Sequence, residues 1–221
     1  ANKYVIFIDE INRGNVSAIF GELITLIEPD KRQGQPNEII VELPYSKQPF
    51  SVPSNLDIYG TMNTADRSVE ALDTALRRRF SFLEKMPEYD VIDKENIEGV
   101  KLAEVLKTMN DRIELLIDRD HTIGHSYFIN ISSKKLLADA FNDKIVPLLQ
   151  EYFYGDYGKI GLVLGEGFVK KLNNSKIEFA TFDYDGQNDF KTPSFVLKKM
   201  DEGTIVDAVN LLLAKTEEKQ D

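Results

Sequence analysis

The chain is 221 residues long, carries a formal net charge of −10 and contains no cysteine. These facts exclude a disulfide scaffold and thiolate metal sites, and they deny the chain an overall basic footprint for nucleic acid, a local patch remaining open. At 42% hydrophobic and 29% charged residues the composition is that of an ordinary globular protein, and no apolar run approaches the ~20 residues that span a bilayer. No membrane partner is expected, and a cytoplasmic setting is.

Tyr4 to Ile8 is a continuous apolar run, which predicts a strand buried on both faces, as in a parallel α/β sheet. It ends in Asp9 and Glu10. Adjacent acids pack poorly there, but they serve where a sheet's carboxyl edge opens onto a ligand crevice. In such a place the first acid can hold Mg²⁺ through its water shell, and the second can orient a water toward a γ-phosphate. The competing reading is a strand running into a solvated acidic turn. The sequence enters this strand within four residues, so a fragment of a longer protein, lacking its upstream part, is expected.

Asn12-Arg13-Gly14-Asn15 reads as a tight turn. Val16 to Glu28 then has apolar residues at helical spacing, with Pro29 after its end. Glu38 to Leu43 and Gln48 to Val52 predict a hairpin around Pro44 to Lys47. Leu56 to Thr61 is a second core-like strand, followed by Met62-Asn63-Thr64-Ala65-Asp66-Arg67-Ser68. An Asn beyond a strand end can hydrogen-bond a water without adding charge beside two carboxylates; equally, the segment can cap a helix starting near Val69, with Ser68 as N-cap.

Ala71 to Leu76 is short and helical, and Arg77-Arg78-Arg79 follow it, before an apolar strand at Phe80 to Leu83. Three consecutive arginines cannot share one helix face. In an acidic protein such a cluster points to anion recognition, with surface ion pairing as the plain alternative.

From Pro87 the pattern becomes helical. Val100 to Asp118 and Ser133 to Tyr154 are predicted helices, the latter kinked or divided by Pro147. A polar segment, Asp118 to Tyr127, separates them. A short helix follows at Lys159 to Leu164. Strands near Ile177 to Phe182 and at Ser194 to Leu197, a loop at Asp185 to Asp189, and a helix from Thr204 to Ala214 capped by Thr204 complete the chain, before a polar tail from Lys215. Gly155 to Ile160 lacks phosphate-loop spacing, and the chain contains no Gly-x4-Gly-Lys-Ser/Thr. His121 and His125 are four apart, but Gly124 argues against a helical metal pair.

The ordered set Ile8-Asp-Glu-Ile-Asn-Arg-Gly-Asn15, Gly60-Thr-Met-Asn-Thr-Ala-Asp-Arg-Ser68 and Ala75-Leu-Arg-Arg-Arg-Phe80 closely resembles the AAA+ GTPase subunit of methylcytosine-specific restriction systems, the McrB family. Arg119 to Tyr127 and Pro147 to Gly155 look like that family's lid, so the resemblance covers about residues 3 to 165. It implies an α/β fold, a partial AAA+ parallel αβα sheet core over 1–87, a helical lid over 88–165 and a small mixed extension over 166–221. It places Asp9 and Glu10 on the Walker B pair, with Asp9 holding Mg²⁺ through water and Glu10 activating water. It places Asn63 on sensor 1, in a segment ending at the nucleotide-side Asp66. It puts Arg78 and Arg79 where arginines reach a neighbouring subunit's γ-phosphate, with the choice between them open. Arg119 or His125 is a weaker candidate for a lid sensor. The implied whole protein hydrolyses GTP, forms a ring (a hexamer) and drives a separate nuclease subunit of the McrC type, with DNA read by an N-terminal domain lying outside this sequence. Two alternatives stand beside it: a MoxR- or dynein-like AAA+ remodelling protein using ATP, and a scaffold that has lost catalysis.

Overall fold

A computed structural model describes residues 2–63, 65, 74–92, 97–172, 180–182 and 193–214. The chain divides into two compact units, Ala1–Glu84 and Lys85–Asp221.

In the first unit the strand β1 (Tyr4–Ile8) leads through a 3₁₀ turn to a short helix, α1 (Val16–Phe20). The expected helix to Glu28 stops there. Gly21 adopts φ +50°, a left-handed conformation, and the chain continues as a 3₁₀ turn over Gly21–Thr25. The hairpin is present but shorter than expected, β2 (Val41–Glu42) against β3 (Pro49–Phe50). The next strand, β4 (Leu56–Gly60), pairs parallel with β1, Tyr4 opposite Leu56 through Ile8 opposite Gly60. Arg32 ties this strand to the preceding turn, donating to the carbonyls of Leu56 and Ile27.

β1 departs from the expectation of burial on both faces, with Tyr4 59% and Phe7 70% exposed. A parallel strand is buried when layers cover both its faces. Among the described residues, cover reaches only Ile8, which packs with Phe20, Ile24 and Phe80 around buried Ile11 and Leu76. Leu76 lies on α2 (Thr74–Arg77). Phe80 to Leu83, expected as a strand, has no strand pairing among the described residues, and Leu83 is exposed. The apolar letters there imitate a strand, but no described segment offers a ladder.

The second unit is built on α3 (Leu102–Leu116), whose Leu102, Val105, Leu106, Met109 and Ile113 are buried at helical spacing. Buried Asn110 on the same helix clips the following loop, accepting the Ile123 N–H at 2.7 Å and donating to its carbonyl at 3.0 Å. The predicted helix from Ser133 begins with Ser133 accepting the Leu136 N–H. It divides into α4 (Lys134–Ala140), a π turn over Phe141–Ile145, and α5 (Val146–Tyr152). Pro147 falls in the first turn of α5, directly after the π turn, whose wider winding accommodates a ring that lacks an N–H.

Next come α6 (Tyr157–Leu164), capped by Asp156, the strand β5 (Val169–Leu172), its antiparallel partner β6 (Ser194–Leu197), and α7 (Ile205–Leu213). β5 was not among the predicted elements. The expected cap of α7 is corrected: the Thr204 side chain makes no capping bond to the helix, and Asp201 instead accepts the N–H groups of Gly203 and Thr204, each at 3.0 Å. A carboxylate is the stronger acceptor at a helix's positive end. Asp66, Ser68, Ile177 to Phe179, the Asp185 to Asp189 loop and the tail from Lys215 lie outside the described residues.

Phe168, Val169, Met200, Ile205, Ala208, Val209 and Leu212 share one core with α3, α4 and α6. Gly167 makes this possible, since a Cβ there would sit 2.6 Å from the Ala208 Cα. Gly167→Ala is therefore expected to destabilise the unit by about 1–3 kcal/mol, the usual cost of overpacking. Urea unfolding of the two proteins measures this, and an unchanged midpoint would show that α7 shifts freely.

Candidate functional site

Parallel pairing in register puts the carboxyl ends of β1 and β4 at one edge. There Thr61 is the link. Its N–H donates to the Ile8 carbonyl at 3.0 Å, and its own carbonyl accepts the Ile11 N–H at 2.8 Å. Its hydroxyl accepts the Glu10 N–H at 3.0 Å and donates to Asp9 Oδ1. Glu10 stands at φ 50°, ψ 50°, a left-handed conformation that a side chain adopts only when its surroundings hold it there. The two Thr61 bonds on either side supply that constraint. The Glu10 carboxylate pairs with Arg13 Nε at 2.8 Å, both groups being largely exposed.

Asn63 sits one strand over. Its carbonyl accepts from the Asn12 amide at 3.3 Å, and its side-chain oxygen accepts the Ala65 N–H at 3.1 Å. Asp9, Glu10 and Asn63 are thus brought to one exposed edge. Sequence reasoning missed Thr61 as a site residue; its signal was a hydroxyl immediately past a strand that ends beside two acids. Gly60 allows the close approach, because a Cβ there would meet Ile11 side-chain atoms at 3.0–3.3 Å.

Arg78 and Arg79 part company just beyond α2. Arg78 is exposed. Arg79 is 18% exposed in its side chain and pairs through Nη2 with Glu28 Oε1 at 2.8 Å. Glu28 also receives Lys31 at 2.8 Å. The Lys31 hydrogen bond, aided by Arg79, holds the Glu28 carboxyl below its ordinary range.

In the second unit both histidines bond to the protein. His121 Nδ1 lies 2.6 Å from Asp118 Oδ1, and its ring meets Tyr152 edge-on at 4.9 Å. That bond lowers the Asp118 pKa, and burial pushes the Tyr152 hydroxyl up to about 12. His125 Nδ1 accepts the Glu88 N–H at 3.0 Å, and Arg119 is exposed. Among the described residues no three His, Asp or Glu side chains gather to hold a metal unaided. The exposed Asp9 carboxylate, oriented by the Thr61 hydroxyl, is a hard oxygen donor of the kind that fits an aquated Mg²⁺.

Residues 1–80 match the family described as AAA domain (dynein-related subfamily), and residues 101–161 match McrB, alpha-helical lid domain. A parallel-stranded AAA domain followed by this lid defines an AAA+ protein. The chain is 38% identical over 175 residues to the Type IV methyl-directed restriction enzyme EcoKMcrB subunit of Escherichia coli K12, covering 70% of this chain and 38% of that protein. It is 26% identical over 211 residues to the Type II restriction enzyme BsuMI component YdiS of Bacillus subtilis 168, covering 83% of this chain and 59% of that one. The chain belongs to the McrB family of AAA+ proteins. It spans less than two thirds of either relative. No described helix is long and apolar enough to cross a membrane.

Proposed function

We propose that this chain forms part of an AAA+ nucleoside triphosphatase, the GTP-hydrolysing motor subunit of a modified-cytosine-dependent restriction complex. The observation that carries the reading is the Thr61 link, which holds Asp9 and Glu10 beside Asn63 at the carboxyl edge of two parallel strands. Asp9 is the residue to hold Mg²⁺ through water, Glu10 to activate the attacking water and Asn63 to orient it. When bound, the cation neutralises charge on the β- and γ-phosphates. Arg78 or Arg79 serves the site of an adjoining subunit in a ring, taken as a hexamer. The partner is a nuclease subunit of the McrC type, and DNA is bound through another domain. The names of the E. coli and B. subtilis relatives, both restriction components, support this assignment.

The family description of residues 1–80 favours one second reading, an ATP-dependent remodelling protein of the dynein-related branch. Turnover of GTP and of ATP by the full-length protein decides between them: GTP preference supports the restriction motor, and ATP-only turnover removes it. The 221 residues contain no Gly-x4-Gly-Lys-Ser/Thr. Calorimetry on this piece alone is therefore expected to show no tight guanine-nucleotide site. Micromolar binding would contradict that.

A further inference from the structure

We infer that the β5–β6 ribbon is a landing for the phosphate backbone of double-stranded DNA, held through Lys170, Lys171, Lys198 and Lys199 without regard to sequence. The choice of DNA rests on the functional reading above, which the inference deepens by giving this chain its own hold on the duplex.

β5 and β6 pair antiparallel, Val169 opposite Leu197 through Leu172 opposite Ser194. Buried Val169 and half-buried Phe195 and Leu197 pack against the core of the unit. The alternate positions, Lys170 and Val196, are exposed, because successive strand residues point to opposite faces. Lys198 continues β6 on that outer side, its N–H donating to the Phe168 carbonyl at 2.8 Å and its Nζ to the Glu166 carbonyl at 2.7 Å. Lys170 and Lys198 are thus diagonal neighbours, about 7–8 Å apart by the usual geometry of such pairs. Lys171 and Lys199 are exposed beside them. Residues 167–172 and 193–200 hold these lysines and no acid, in a chain whose net charge is −10. Elsewhere Lys31, Lys101, Lys107 and Lys134 each pair with a carboxylate. The ribbon lysines make no such pair among the described residues. Glu166 and Asp201, the nearest acids along the chain, flank the ribbon at one end, and Asp201 is committed to capping α7.

Like charges at neighbouring positions of a strand pair are destabilising, so an acid-free cluster is explained by a partner of opposite sign. The residue type selects the partner. Lysine is a compact charge on a flexible stem, and with no arginine on the ribbon there is no planar fork for bidentate recognition. Such groups hold phosphates and position a protein on a duplex while carrying no sequence information. A two-stranded ribbon is also one of the shapes that the major groove of B-DNA admits. A protein partner is less favoured, since the outer face offers Val196 and Leu172 but none of the Trp, Tyr or Arg that anchor protein interfaces. In the restriction complex proposed above, this hold keeps the duplex on the motor whatever sequence passes.

The test is binding of the full-length protein to a mixed-sequence duplex without modified cytosine, followed by fluorescence anisotropy across a salt series. Each phosphate contact contributes about 0.9 to the slope of log affinity against log salt. A variant combining Lys170→Gln, Lys171→Gln, Lys198→Gln and Lys199→Gln is expected to lower that slope by about 3–4, and the affinity at least about tenfold at about 0.1 M salt. The same positions changed to Arg are expected to keep the slope, since the charge is retained. Lys101→Gln, which removes a lysine already paired with Glu104 at 3.0 Å, is expected to leave it unchanged. Turnover without DNA and thermal unfolding are expected to match wild type, as the substituted side chains are exposed. If the combined Gln variant unfolds early, Lys170→Gln alone carries the test, with an expected fall of about 1 in slope. A wild-type slope in the Gln variants overturns the inference. So does that slope together with weakened capture of the nuclease subunit, which assigns the ribbon to an acidic protein surface instead. Wild-type protein that hydrolyses neither GTP nor ATP sinks the functional reading while the salt slope still reports on the ribbon, whereas an active triphosphatase with an indifferent slope sinks the inference alone.

Discussion

Glu10→Gln in the full-length protein is expected to lower nucleotide turnover by at least about 10²-fold while nucleotide binding and ring assembly stay intact. A positioned general base contributes ~10²–10⁴ to a rate, and an amide of the same shape cannot accept the proton or hold the same charge. The substitution leaves the backbone undisturbed: the Glu10 N–H still reaches the Thr61 hydroxyl, and the left-handed turn at φ 50° is kept. What it removes is the carboxylate now seen against Arg13 at 2.8 Å. Single-turnover kinetics beside equilibrium nucleotide binding separate the two effects. Near-normal turnover would show that Glu10 is not the water-activating group.

Thr61→Val keeps the volume and the β-branched shape of the side chain and deletes the hydroxyl that joins Asp9 to Glu10. Outer partners that orient a metal-holding residue typically matter ~10–100-fold in affinity or activity, and a loss in that range is expected here. The defect should show first as a higher Mg²⁺ requirement, because Asp9 loses the donor that orients it. Stability is expected to change by less than about 1 kcal/mol, since water can replace the hydroxyl at an exposed edge. A magnesium titration of turnover checks this. Identical curves for the two proteins would reduce Thr61 to a strand-end filler.

Elements that pack by their own periodicity were legible in the residues. α3 shows its buried stripe directly, and β4, β6, α6 and α7 lie within a residue or two of their expected spans, because their apolar spacing is also their burial pattern. What escaped depends on groups that spacing does not report. Gly21 breaks a helix whose apolar spacing runs on past it, and only its φ of +50° reveals the break. β5 reads Val-Lys-Lys-Leu and exists because β6 pairs with it. Asp201 outcompetes Thr204 as cap of α7 through a charge that capping statistics alone do not rank. β1 was read as doubly covered because its letters suit that state, while cover is a property of neighbouring layers. At the site, Asp9, Glu10 and Asn63 were nominated by residue type at strand ends, and the parallel register brings them together. The linking Thr61 and the Glu28 that pairs with Arg79 could not be found that way, because each matters through a partner 51 residues distant.

Arg112 on α3 donates to the Val163 carbonyl at 2.7 Å and to the Leu212 carbonyl at 2.9 Å, closing the carboxyl ends of α6 and α7 with one side chain. The segment that carries α7 is therefore a keystone of this unit. A protein shortened after Gly165 would strip one prong from that guanidinium and bare the socket that Ile205, Val209 and Leu212 now fill. Trimming this chain to its matched lid, residues 101–161, is therefore expected to expose that apolar socket to solvent.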